Sequence, residues 1–177
     1  NMGLLCCIPK KPVMMHDELG PVYDMDGTRP LSIVDVSNRI IAAAYKSQWE
    51  QLLGDWISEA QRGFIPGRSM LANVVDLEHK AMMTSLAEPK GLLLLIDFKA
   101  AFPSVSQQYL VETLARIGLP RRAIHMVEAL YDGSRCSIKM HGHYYDGFRL
   151  TAGVKQGCPL SPLLFVAVVD TLLRRIE

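Results

Sequence analysis

Long apolar segments and a cysteine framework are both missing from this sequence of 177 residues. The longest purely aliphatic run covers residues 92–96, far short of the ~20 residues that a membrane-spanning helix needs. The apolar stretch at the start is equally short, so we expect neither a secretory signal nor contact with a membrane. The four cysteines form no C-x-x-C pair, which indicates reduced thiols in an intracellular protein, nuclear or cytoplasmic. His141 and His143 have no second ligand pair at a zinc spacing, and a turn is favoured there over a metal site.

A strong net charge is also absent, because 19 basic residues face 18 acidic ones. Charge alone therefore does not indicate nucleic-acid binding. Residues 116–155, however, contain seven bases and three acids, a local excess of four positive charges. This segment could face a polyanion, or it could be an ordinary solvated surface.

The proportions of hydrophobic residues (49%) and charged residues (21%) are those of an ordinary globular protein and exclude disordered, collagen-like and coiled-coil classes. The length suits one domain or a part of a larger one. The sequence begins at Asn1, not at a methionine, and its last residue, Glu177, continues a helical pattern. We therefore expect an excised piece of a longer protein.

The order of hydrophobic patterns predicts an α+β fold. Short strands are expected at residues 4–8 and 31–34, with a loop over 13–28 between them. A helix follows Ser37, with residues 41, 45, 49, 52 and 56 on its apolar face, and a second helix follows Ser69. The apolar run at 92–96 does not alternate, so it predicts a strand buried on both faces.

The second half alternates helices with strands. Ser106 is positioned to cap a helix that Gly118 ends, and Pro120 suits the start of the next helix. A hairpin is predicted across residues 137–150, followed by a last helix after Pro159 and Pro162. No repeat, low-complexity segment or linker interrupts this order.

Asp97 is the sharpest candidate for chemistry, because it ends the apolar run at 92–96. A carboxylate is costly there unless it is paired or bound to a cation, and its oxygens suit Mg²⁺. An aspartate exposed at the strand end and capping the turn is the alternative. No D-x-D or adjacent acidic pair completes a metal site nearby.

Two glycine-bearing loops offer contacts for phosphate. Gly157 lies in a loop that precedes a helix, where the backbone and the helix N-terminus can approach an anion, although an ordinary turn explains the same pattern. Arg62 and Arg68 flank a turn in residues 61–68. They fit phosphate contact and a solvated loop equally well.

Taken in order, these segments resemble the reverse transcriptases of non-LTR (LINE-type) retrotransposons. The resemblance rests on five blocks: IPK at residues 8–10, RPLS at 29–32, QRGFIPGR at 61–68, LIDFKAAF at 95–102 and GVKQGCPLSPLLF at 153–165. The last two are similar to the first and second catalytic motifs of the palm. Together the blocks span nearly the whole chain, and their shared order is far more specific than any one of them.

The resemblance implies a right-hand polymerase fold, with fingers over residues 1–91 and part of the palm over 92–177. It implies RNA-directed DNA synthesis, a nucleotidyl transfer to a primer 3′-OH that uses two Mg²⁺ ions, with Mn²⁺ as an alternative. The implied partners are an RNA template, a DNA primer, dNTPs and the remainder of a parent polyprotein.

Individual roles follow from the same resemblance. Asp97 and the carbonyl of Phe98 would bind metal, with Asp97 the catalytic residue, and Phe102 would lie beneath the deoxyribose and exclude a 2′-OH. The other residues expected to bind nucleotide are Phe98, Lys10, Arg29, Gln156 and Gly157. The residues expected to contact nucleic acid are Arg62, Arg68 and Lys155.

Some positions depart from the family pattern. Pro103 replaces a usual acid, Arg39 a usual lysine and Val166 a usual asparagine, and the sequence contains no aromatic-x-Asp-Asp motif. By the resemblance, we expect the chain to stop before that hairpin and the thumb. We therefore expect this chain to be inactive alone. The rival interpretation is a decayed or domesticated nucleic-acid-binding remnant of a retroelement. A purely structural helical module would leave Asp97 and the Gln156-Gly157 loop unexplained.

Overall fold

The computed structural model describes residues 2–24, 27–88, 90–140 and 142–176. Expectations that concern Asn1, His141 and Glu177 fall outside these residues. Six strands and five helices occur among the described residues. The strands are β1 (Met2–Pro9), β2 (Met14–His16), β3 (Gly20–Val22), β4 (Thr28–Val34), β5 (Arg135–Met140) and β6 (His143–Tyr145). The helices are α1 (Val36–Trp56), α2 (Met70–Ala87), α3 (Gln107–Ile117), α4 (Arg121–Tyr131) and α5 (Ser161–Ile176).

The main sheet has the strand order β4-β1-β5-β6. Strand β1 pairs antiparallel with β4, where Ile8 faces Arg29, and parallel with β5, where Gly3 faces Cys136. This sheet joins strands from both sides of residue 91, so the expected boundary between fingers and palm passes through a continuous hydrogen-bonded layer. The boundary itself stays a prediction.

The core lies where α3, α4 and α5 pack together and meet the end of α1. Leu53, Leu110, Leu114, Val127 and Leu164 are completely buried there. Helices α3 and α4 begin and end largely as the sequence predicts: the Ser106 hydroxyl accepts a hydrogen bond from the Tyr109 amide, and Gly118 adopts φ +91°, which favours glycine. This cluster fixes the second half of the chain around α5.

Two local expectations are wrong in the first half. The predicted loop at 13–28 contains the antiparallel pair β2 and β3, whose short strands meet through a turn at Gly20 with φ +75°. Helix α1 is capped by Asp35, whose carboxylate accepts from the Ser37 amide, rather than by Ser37. Its buried residues are Ala42, Trp49 and Leu53. Of the predicted apolar face, Trp49 is buried and Tyr45 and Trp56 pack against the core, whereas Ile41 and Leu52 are exposed and their neighbours Ala42 and Leu53 are buried instead.

The predicted buried strand at 92–96 is also wrong. The five residues form no strand and are 53–88% exposed. Burying such a run on both faces requires a neighbouring strand and a covering helix, and the described residues supply neither beside it. Helix α2 likewise buries none of its residues.

Candidate nucleotide and template site

The loop at 153–157 is built by close backbone approach to its neighbours. The Gly153 amide donates to the Val105 carbonyl (2.7 Å), and the Val154 amide donates to the Phe102 carbonyl (2.9 Å). A Cβ on Gly153, whose φ is +84°, would lie 2.8 Å from Pro103. The loop is therefore attached to the segment that follows Asp97 and carries Phe102.

Gly157 brings the same loop against strand β4 of the main sheet. A Cβ at this position would lie 2.7 Å from the Ser32 carbonyl oxygen in β4, and its φ is +97°. Only glycine satisfies both conditions without displacing the backbone. Gln156 is thereby placed between the sheet and the Phe102 segment, half-buried.

Lys10 and Arg29 line one shallow groove at the end of the β1–β4 pair, together with Lys11. The β1–β4 pairing that sets Ile8 opposite Arg29 brings them together, and the Lys10 amide donates to the Gly27 carbonyl (2.9 Å). No acidic side chain lines this groove among the described residues. Arg29 lies three residues before Ser32 in β4, roughly 10 Å along the strand from the approach of Gly157.

Phe102 lies in an aromatic cluster. Its ring centroid is 4.9 Å from that of Phe165 and 6.3 Å from that of Phe64, and the side chain is half-buried against the core. The Phe102 ring therefore packs at the edge of the hydrophobic core.

Asp97 and Phe98 lie in the exposed segment before this cluster. Within the described residues, no group of three or more His, Cys, Asp or Glu side chains could hold a metal ion. One exposed carboxylate does not by itself make a Mg²⁺ site. The predicted metal ligands stay a prediction.

The three bases expected to contact nucleic acid are all engaged by protein groups. The Arg68 guanidinium donates to four main-chain carbonyls, those of Gly54, Ile57, Ser58 and Gln61. These bonds use every terminal N–H of Arg68 to hold the turn after α1. The structure therefore supports a structural role for this side chain in place of phosphate contact.

Arg62 and Lys155 are held less completely. Arg62 forms an ion pair with Asp76 of α2. The Lys155 ammonium donates to the Leu130 carbonyl (2.8 Å) and lies 5.7 Å from the centre of the Tyr131 ring. Burial lowers the pKa of Lys155, and Cys158 opposes that shift.

Sequence reasoning missed a buried polar contact between α1 and α5. Asp170 is completely buried, accepts from the Ser58 amide (3.0 Å) and pairs with Arg174, whose guanidinium lies over the Trp56 ring. The i,i+4 spacing of Asp170 and Arg174 could have predicted their ion pair. No feature of the sequence predicts their contacts with Ser58 and Trp56, which lie more than 110 residues away along the chain.

The sequence profile of the family "Reverse transcriptase (RNA-dependent DNA polymerase)" matches residues 8–177. The chain belongs to the reverse transcriptase family. As its five motif blocks predict, it is a reverse transcriptase domain of the non-LTR retrotransposon type.

Relatives from three animals show the same relationship. The chain is 32% identical over 154 residues to the Pol polyprotein of the retrotransposable element R2DM of Drosophila melanogaster, covering 84% of this chain and 14% of that protein. It is 31% identical over 176 residues to an R2 Pol polyprotein of Nasonia vitripennis, covering 96% and 16%. It is 28% identical over 174 residues to the transposon TX1 uncharacterized 149 kDa protein of Xenopus laevis, covering 97% and 12%. The chain therefore spans less than a fifth of each of these relatives.

No helix among the described residues is long and apolar enough to cross a membrane.

Proposed function

We propose that this reverse transcriptase domain supplies the nucleotide- and template-facing surface of an RNA-directed DNA polymerase that adds dNTPs to a primer 3′-OH. The observation that carries the proposal is the loop at 153–157. Its two glycines hold Gln156 between strand β4 and the Phe102 segment. A base pair forming between template and incoming nucleotide needs such a surface, formed by fingers and palm together.

The basic groove at Lys10 and Arg29 supports the same proposal. Arg29 lies along β4 from the Gly157 contact, Lys10 and Lys11 line the same groove, and charge-assisted hydrogen bonds to a triphosphate are among the strongest available to a protein. In this proposal Lys10 and Arg29 bind the triphosphate, while Gln156 and Gly157 face the base pair and the template.

Asp97 and the Phe98 carbonyl are proposed as ligands of the divalent cations that such polymerases use. The family chemistry places two Mg²⁺ ions, or Mn²⁺, at the reacting phosphate. Asp97 has no partner carboxylate in a metal-holding cluster among the described residues. The relatives are much longer than this chain, which covers 12–16% of their length, and we place the polymerase activity in a longer protein of that kind, with RNA template, DNA primer and polyprotein segments as its partners.

Phe102 provides the sharpest test of the proposal. The measurement is kcat/KM for one dNTP and its matching rNTP, in a full-length polymerase that carries this segment. Phe102→Ala is expected to raise relative rNTP use, because the ring occupies the volume that a 2′-OH would need. Asp97→Ala is expected to abolish use of both nucleotides.

Phe64→Ala is the matched control, because Phe64 belongs to the same aromatic cluster but is 60% exposed. It is expected to leave the dNTP/rNTP ratio unchanged. An unchanged ratio in Phe102→Ala would restrict Phe102 to core packing.

The rival candidate is a non-catalytic remnant that binds nucleic acid. Pro103 and Val166, which replace the family's usual side chains, favour it. Primer–template binding measured beside extension in the same full-length protein separates the two candidates: retained binding without extension, in the presence of an intact Asp97, would establish the remnant.

A further inference from the structure

A pocket of about 210 Å³ lies between the main sheet and the loop at 153–157. Its walls come from strands β1, β4 and β5, from the ends of α3 and α4 and from the segment after β6. Most of them are apolar: Leu5, Pro30, Pro103, Phe148, Leu150 and Val154. Asp97, Phe102, Lys10 and Arg29 do not line it, so this pocket is separate from most of the proposed nucleotide site.

The volume sets the size of a suitable ligand. An engineered apolar cavity of about 150 Å³ in another protein stays dry and binds benzene. A pocket of about 210 Å³ with similar walls has room for a larger ring system. Flat ring systems also suit a space between a sheet face and a loop, where Phe148 offers a ring for stacking.

A single charged side chain is found among the described residues that line the pocket. Lys155 lines it, and its ammonium carries three N–H donors, of which the bond to the Leu130 carbonyl uses one. No acidic residue is among the described residues that line the pocket. Burial lowers the pKa of Lys155, so an anionic group beside this ammonium would relieve part of its desolvation. The pocket therefore favours an acceptor at one end of its ligand.

We propose that this pocket is a binding site for a small bicyclic aromatic molecule that carries a carboxylate at one end. The rings lie against the apolar walls, and the carboxylate accepts from Lys155. Gln156 also lines the pocket, so a bound ligand contacts the loop that the polymerase proposal places beside the template. The binding proposal does not rest on polymerase activity.

The test is titration of the 177-residue chain with 6-fluoro-2-naphthoate, followed by ¹⁹F NMR. The comparator is 2-fluoronaphthalene, which has the rings but no acceptor. We expect saturable binding of the naphthoate. Lys155→Met should weaken naphthoate binding by about tenfold or more, the scale of a hydrogen bond to a charged group, and should leave 2-fluoronaphthalene unaffected. Lys155→Arg should retain most of the affinity.

Controls separate this pocket from other apolar surfaces. Lys46→Met removes a surface lysine that pairs with Glu50 and does not line the pocket, and it should change nothing. Phe148→Ala should weaken both probes, because it removes part of the shared wall. Leu71→Ser with Leu86→Ser, on exposed helix α2, should leave the saturable binding of both probes unchanged and lower only non-saturable association with the exposed helix.

Contact between probe and protein gives a readout that does not depend on the folding of variants. Intermolecular NOEs from the naphthoate to the methyl groups of Leu150 and Val154 in the unaltered chain are expected. Absence of saturable binding, NOEs only to α2, or equal naphthoate affinity in Lys155→Met would each overturn the proposal.

Discussion

Arg68 shows how a residue that resembles a phosphate ligand serves the fold instead. Its guanidinium joins four carbonyls at the end of α1 and in the turn that follows, three of them at 2.7–2.9 Å. Hydrogen bonds to a charged donor contribute about 1.5–3 kcal/mol each, and a lysine cannot reproduce the planar fork. We expect Arg68→Lys to lower the free energy of unfolding by about 3 kcal/mol, measured by urea denaturation.

Arg62→Lys, in the same loop, is the comparison variant. Arg62 pairs with an exposed Asp76, and exposed pairs contribute about 0–1 kcal/mol. A loss for Arg68→Lys no larger than that for Arg62→Lys would contradict the structural role.

Tyr131 predicts a loss of stability at alkaline pH. Its hydroxyl is buried beside Ser161 (3.3 Å), and burial raises its pKa far above the ordinary value of 10, partly opposed by the Ser161 hydrogen bond. The unfolded chain releases this proton near pH 10 while the folded chain retains it. Its contribution is therefore complete below pH 10 and falls as pH rises above 10.

Tyr131→Phe is the variant that tests this sign. It keeps the ring under Lys155 and removes the ionisable hydroxyl, so unfolding free energy measured from pH 8 to 11 should fall less steeply than in the unaltered chain. Tyr145→Phe, at an exposed tyrosine, is the control. Parallel curves for all three proteins would exclude the predicted contribution.

At the scale of elements, short-range signals predicted structure well, and burial was predicted poorly. The Ser106 cap and the Gly118 stop needed only local chemistry, and both are confirmed. The run at 92–96 was predicted to be a buried strand because it is apolar. Its composition does not depend on whether other elements pack against it, so the sequence could not show that it is exposed. The β2–β3 pair was missed because proline, glycine and aspartate favoured a loop.

In the candidate site, too, the sequence predicted some features and not others. Glycine at positions 153 and 157 already indicated that neighbouring backbone could approach the loop closely, and the structure shows this approach by Pro103 and Ser32. The engagement of Arg68 and Lys155 was not, because their partners are main-chain carbonyls, which every residue carries. Pairings of that kind become visible only when the chain is folded.

Helix α2 and residues 92–96 together predict association of the chain. Eight large apolar side chains of α2 are exposed: Met70, Leu71, Val74, Val75, Leu77, Met82, Met83 and Leu86. With the five residues of the 92–96 run they form more exposed apolar surface than a stable monomer usually carries. We expect light scattering to report a mass well above the 19.7 kDa monomer and an apolar dye to bind.

Leu93→Lys with Leu95→Lys should shift the mass toward the monomer without loss of helical circular dichroism, because neither side chain is buried. Leu110→Lys, in the core, should instead unfold the chain. A sharp cooperative melt of a dye-free monomer in the unaltered chain would show that these surfaces do not associate.

For the whole molecule, the near-zero net charge limits nucleic-acid binding to local clusters. Arg68, Lys155 and Arg62 are engaged by protein groups, whereas Lys10, Lys11 and Arg29 meet in one groove without an acidic side chain lining it among the described residues. We expect weak binding of a duplex primer–template, measured by fluorescence anisotropy. With about three phosphates neutralised, the slope of log affinity against log salt is expected near −2.7, at about 0.9 per contact.

Single substitutions show which residues contribute to the slope of log affinity against log salt. Arg29→Ala and Lys10→Ala should each reduce its magnitude by about 0.9, because each removes one released counterion. Arg62→Ala should leave it unchanged, since that guanidinium already pairs with Asp76. A slope that falls with Arg62→Ala and not with Arg29→Ala would move the contact surface from the end of the β1–β4 pair to the loop after α1. Salt-independent binding would mean that no cluster on this chain attracts phosphate, because release of counterions accompanies every phosphate contact made by a cation.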